Sequence, residues 1–98
     1  MAEVNFSPAA RADLKEIGRF SKREFGIAVA ERYVLGFDRA FDLLRMHPES
    51  GPIRSTYGAE VRCLMHHSHR ILYRLGGDTV LILRMLHHSR DVTRHLGK

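Results

Sequence analysis

The sequence predicts an α+β fold: an N-terminal strand, an antiparallel helical hairpin, and an antiparallel meander sheet that the helices cover on one face. Two observations lead there. Apolar residues recur at spacings of three and four through the first half, and the pattern then changes to short apolar runs rich in β-branched residues, separated by His- and Gly-containing breaks. At 98 residues and 44% apolar, the chain suits one domain, residues 1–98, around one core.

Residues 2–6 place Val4 and Phe6 on either side of Asn5, an alternation that suits a short edge strand. Ser7 is a good N-cap. Pro8 then fills the first helical position, where its missing N–H costs nothing, so a helix starts here. Its apolar stripe is Ala10, Leu14, Ile17 and Phe20, with Arg11, Lys15, Glu16, Arg19, Lys22 and Arg23 on the wet side. Gly26 ends it.

A second helix is expected over residues 27–47, where Ala30, Tyr33, Phe37, Ala40, Phe41 and Leu44 recur at helical spacing. Pro48 stops it. Residues 49–58, with Gly51, Pro52 and Gly58, read as an irregular loop.

Residues 61–65, 69–75 and 79–87 read as hairpin strands, separated by His66-His67-Ser68 and Gly76-Gly77-Asp78. Val80, Leu81, Ile82 and Leu83 are apolar without alternation, which predicts a central strand covered on both sides. A two-residue turn at Gly76-Gly77 would set Ile71 opposite Ile82 and His69 opposite Arg84. Arg84 and His88 would then share one face, with Arg70 and His87 on the other. Bringing Arg70 to His88 needs a bulge or a strand end. A short helical turn over residues 91–96 completes the chain.

The formal charge is +5, from 16 Lys and Arg against 11 Asp and Glu, so the surface favours anions: nucleic acid, a nucleic-acid-bound enzyme, or an acidic protein. The single Cys63 has no internal disulfide partner and lies in an apolar run, where a thiol acts as a small core residue. The start of the chain lacks the basic and long apolar stretch of a signal peptide, and no run approaches the ~18 apolar residues of a membrane span. A cytoplasmic protein without membrane contact is expected.

Adjacent strand residues point to opposite faces, so His66, His67, His69, His87 and His88 do not form a metal-ligand pattern, and neither metal nor cofactor is expected. Phe20, Phe25, Tyr33, Phe37 and Phe41 lie at helical spacing, which favours packing over base stacking. Arg74 and Arg94 read as solvated edge residues.

The phrase HRILY over residues 69–73, followed by GGDTVLILRML and HHSRDV, resembles the ParE/RelE toxin superfamily, as do the opening helix SPAARADL and the helix end LLRMHP. The resemblance covers nearly the whole chain. It implies a type II toxin, in one of two branches. RelE-like members cut messenger RNA on the ribosome, which requires a base for the 2′-hydroxyl, cations for the phosphorane and an acid for the leaving oxygen. By position, Arg70, His88 and Arg90 would serve such a nuclease.

The sequence departs from that branch: no lysine pair precedes Arg62, and no Tyr follows Tyr73. The pattern Arg84-x-x-His87-x-x-Arg90-Asp91-Val92 is instead similar to the ParE branch, whose members poison DNA gyrase without hydrolysis. That resemblance implies no catalytic residue and makes Arg62, Arg70, Arg84, His87, His88 and Arg90 candidates for contacting the target or the antitoxin. It further implies a ParD-like antitoxin whose C-terminal segment, disordered alone, folds on the toxin, in a complex that can grow into a larger hetero-oligomer. Phe20, Phe25, Tyr33 and Phe37 are the candidates for its apolar groove, and an acidic antitoxin tail would complement the basic surface.

Overall fold

The computed structural model describes residues 1–89. Strand β1 (Glu3–Phe6) leads into helices α1 (Pro8–Phe25) and α2 (Ile27–Met46). A 3₁₀ turn (Ser55–Tyr57) interrupts the loop that follows, and β2 (Arg62–His66), β3 (His69–Gly76) and β4 (Thr79–His87) complete the described fold. The expected α+β architecture is present. Arg90 and the turn expected over residues 91–96 lie outside the described residues.

The four strands form one sheet in the order β1-β4-β3-β2. The meander β2-β3-β4 is antiparallel, and β1 adds to its edge parallel to β4, pairing Val4 with Val80 and Phe6 with Ile82. Ser7 joins the layers. Its hydroxyl accepts from the Ala10 N–H (3.0 Å), capping α1, and donates to the Leu83 carbonyl (2.8 Å), so the same residue ends β1 and starts the helix. Gly26, at φ 88°, supplies the left-handed residue that reverses the chain between the helices.

Two apolar layers result. The larger lies between helices and sheet, where Phe37, Leu44, Ile71, Tyr73, Val80 and Ile82 are fully buried and Phe6 meets Phe41 edge-to-face at 4.9 Å. The smaller, on the opposite face, gathers Val61, Cys63, Leu72 and Leu86 with Tyr57 and Leu83. Cys63 is a buried core thiol, as expected from its apolar run.

Three expectations are corrected. Strand β4 is internal to the sheet, but Leu81 remains 39% exposed, so its turn end is covered on one face only. The β3–β4 turn consists of Gly77 and Asp78, with Gly77 at φ 58°, while Gly76 pairs with Thr79 inside the ladder. A Gly-Asp pair meets the left-handed demand of a tight hairpin as well as Gly-Gly does, and the pairing shifts accordingly.

A bulge follows in the middle of the hairpin. Tyr73 pairs with Ile82 but Leu72 with Arg84, so Leu83 is the extra residue. Ile71 therefore faces Met85 and His69 faces His87, in place of the expected Ile71–Ile82 and His69–Arg84 pairs. The third correction is Phe20, expected in the α1 stripe but 51% exposed.

Candidate functional site

Strand β1 covers the edge of β4 only as far as Ile82, and α1 takes over from there. Asp13 lies three residues after Ala10 and four before Ile17, on the sheet-facing side of α1. Its carboxylate accepts from Arg84 Nε (2.7 Å) and Nη2 (2.8 Å) and from the Met85 backbone N–H (2.9 Å). One side chain thus pairs a cation and satisfies an amide on the edge that β1 leaves uncovered. The hydrogen-bonded Asp13 carboxylate holds the Arg84 guanidinium above its usual range, against the opposing effect of burial. Asp13 escaped the sequence reading, although an acidic residue within an apolar stripe was a visible signal.

Beside this pair, a cleft of about 350 Å³ opens between α1 and the end of β4, lined among others by Glu16, Ile17, Phe20, His69 and His87. Its floor leads to a corner where five histidines collect. Tyr33 on α2 shares a 2.6 Å hydrogen bond with His69 Nδ1, and its ring lies 5.7 to 6.3 Å from those of His66, His67 and His69. His69 meets His87 edge-to-face at 5.5 Å across the β3–β4 ladder, and His87 stands beside His88 at 4.4 Å.

Burial pushes the His69 imidazole down to about 4, and the neighbouring His87, His66 and His88 push the same way, against a weaker opposing pull from Asp13. At neutral pH His69 is uncharged. His66 is lowered by burial and by His67, and its Nε2 is buried without a hydrogen-bond partner among the described residues.

The predicted arginines are engaged within the fold. Arg62 donates to the Gly51 carbonyl (2.8 Å) and, more weakly, to that of Glu49 (3.3 Å), bracing the loop before β2. Arg84 pairs with Asp13 as described. Arg74 donates to the Ala59 carbonyl at 3.1 Å rather than standing free at the sheet edge.

Arg70 donates to the His88 carbonyl at 2.7 Å. The bulge brings these two residues together. It also removes the expected division of faces, because His87 now pairs with His69 while Arg70 pairs with Leu86. Among the aromatic candidates, Phe37 is fully buried in the core and offers nothing to a partner, and Tyr33 is turned toward the histidines. Phe20 and Phe25 are exposed, at 51% and 63%.

Two helices on one face of a four-stranded sheet, with an ion pair and a histidine cluster at the end of β4, give the α+β architecture expected of the superfamily the sequence resembles. The family model of the ParE toxin of type II toxin–antitoxin systems (parDE) matches residues 4–92. The chain belongs to the ParE toxin family.

Toxin ParE1 of Caulobacter vibrioides is 31% identical over 97 residues, covering 99% of this chain and all of that protein. Toxin ParE1 of Mycobacterium tuberculosis is 34% identical over 91 residues, covering 92% and 93%. Among solved structures, the chromosomal ParDE toxin–antitoxin system of P. aeruginosa superposes with a TM-score of 0.77 at 22% identity, covering 89% of this chain and 96% of that one. Among the described residues, no helix is long and apolar enough to cross a membrane.

Proposed function

We propose that this toxin acts by binding DNA gyrase in the cytoplasm and blocking replication, without hydrolytic chemistry of its own, and that a ParD-like antitoxin neutralises it. The observation that carries this reading is the engagement of Arg70, a candidate cation of the nuclease reading, and of Arg84, a contact candidate. Arg84 is committed to Asp13 and Arg70 to a backbone carbonyl, so both act as struts for a docking surface. A phosphoryl-transfer site needs cations aimed at the reacting phosphate instead. The exposed Phe20 and Phe25 suit an antitoxin segment that folds as it binds, and the P. aeruginosa ParDE system supports such a pairing.

The second reading, a RelE-like ribosome-dependent ribonuclease, draws on one observation: the bulge that the hairpin needs to bring Arg70 to His88 is present. Purified toxin, freed of antitoxin, should be assayed side by side on gyrase supercoiling and on ribosome-bound message. Loss of supercoiling with intact message is the expected result. Cleaved message, abolished by His88→Ala and Arg70→Ala, would replace the first reading with the second.

A further inference from the structure

We propose that the histidine corner is a proton-operated latch, which holds the N-terminal half of α2 on the β2–β3 turn at neutral pH and releases it in acid. The latch is geometric before it is electrostatic. The corner joins α2, through Tyr33, to the far end of the sheet: His66 and His67 from the end of β2 and its turn, His69, which pairs with His66 in the β2–β3 ladder, and His87 across the β3–β4 ladder. Tyr33 ties α2 to the sheet by its hydrogen bond to His69 and to the β2–β3 turn by one to the Ser68 backbone. Around it, ring contacts join the apolar packing of α2, Phe37 to His66 at 4.5 Å and Phe37 to His69 at 5.8 Å.

The groups facing His69 come from every packed element. They are Asp13 and Glu16 on α1, Tyr33 on α2, His66 on β2, His67 in the turn beside Tyr33, and His87 and His88 on β4 and just beyond. Both carboxylates are already engaged. Asp13 holds Arg84 and the Met85 amide, and Glu16 lies near Arg19 and Arg23. Little negative charge remains to welcome a proton.

In the tautomer that keeps its hydrogen on Nε2, a neutral His69 accepts from the Tyr33 hydroxyl through Nδ1. A protonated one carries N–H on both nitrogens, so the tyrosine must turn its hydrogen away and act as acceptor. The new cation also sits against the His87, His66 and His88 imidazoles, which oppose its charge. Each proton added to the corner therefore opposes the next.

The sign of the pH dependence follows. His69 is depressed to about 4 when folded, against an ordinary value of 6.5. The unfolded chain thus binds more protons between these limits, and stability is fully present above pH 6.5 and lost as pH falls toward 4. Within that window one such group changes the folding constant by up to about tenfold per pH unit.

The test uses the full chain. Thermal melts and amide hydrogen exchange would be recorded at pH 7.5 and pH 5.0 for the wild type and for His69→Gln, which keeps a hydrogen-bonding side chain without the titration. The wild type should melt lower at pH 5.0 and lose protection first at residues 27–36, while His69→Gln should lose at least half of that pH dependence. An equal drop in both proteins, or protection lost uniformly along the chain, would overturn the proposal. Should His69→Gln fail to fold, NMR titration of the wild-type imidazoles decides: His69 protonating well below His67 and His88 supports the latch, and His69 protonating at or above pH 6.5 overturns it.

Discussion

Asp13 and Arg84 form a two-pronged ion pair across 71 residues of sequence, with side chains only 13% and 19% exposed, and it anchors α1 to the strand edge that β1 leaves uncovered. Asp13→Ala removes a charged acceptor from both Arg84 and the Met85 amide and should cost ~3 kcal/mol, measured as a shift in the urea midpoint. Asp13→Asn should fall between it and the wild type, because the amide keeps one acceptor oxygen but loses the charge. Equal stability of Asp13→Ala and wild type would show that α1 is held by packing alone.

Tyr73 should be the most costly hydroxyl to delete. It is fully buried, donates to the Pro48 carbonyl (2.8 Å) and accepts from the Gly51 N–H (2.8 Å), so it fixes the loop leaving α2. Tyr73→Phe keeps the ring but leaves an amide and a carbonyl unpaired, for an expected loss of about 1–3 kcal/mol.

Gly51 tests the same contact from the other side. A Cβ there would stand 2.8 Å from the Cys63 carbonyl oxygen and 2.9 Å from the Tyr73 ring, so Gly51→Ala should destabilise although φ is not at issue. Calorimetry that found Gly51→Ala as stable as the wild type would mean the loop can move away freely.

Cys63 should react slowly. Burial pushes its thiol up, and the opposing pull of Arg70 and Arg54 is weaker. Labelling with a thiol reagent at pH 7.5 should run at least about a hundredfold slower than in the urea-unfolded chain, because a stability of about 5 kcal/mol leaves few chains open. A rate close to that of the unfolded chain would place the thiol at the surface.

Phe20 and Phe25 should separate binding from folding. Each is exposed by more than half, so alanine at either position should change stability by no more than about 0.5 kcal/mol. If they receive the antitoxin, the double variant should lose at least about tenfold in affinity for it, read by calorimetric titration. Unchanged affinity would move the antitoxin elsewhere on the surface.

What the sequence revealed and what it hid divide along physical lines. Ser7-Pro8, Gly26 and Pro48 announced the helix ends because capping and φ restriction are local, and the helices run from Pro8 to Phe25 and from Ile27 to Met46. The strands were readable from their apolar runs and breaks. Their register was not, since Gly76-Gly77-Asp78 offers two tight turns and nothing local announces the bulge at Leu83.

The candidate site was hidden further. The alternation rule assigned neighbouring histidines to opposite faces, yet a turn between His66 and His69 folds them back, and Tyr33 arrives from a helix some thirty residues earlier. Phe37 and Phe20 share the same spacing argument and end up fully buried and half exposed. Which face of a hairpin meets the sheet is decided by tertiary packing, which a single helical stripe does not encode.

The order of the strands has a consequence for synthesis. Ser7 finishes its hydrogen bonding only on Leu83, 76 residues later, and among the described residues β1 pairs with β4 alone. On the ribosome, the helical hairpin can form as it emerges, but the sheet stays open until the last strand clears the exit tunnel. The chain therefore completes its sheet, and the surface built on it, only after β4 has been made.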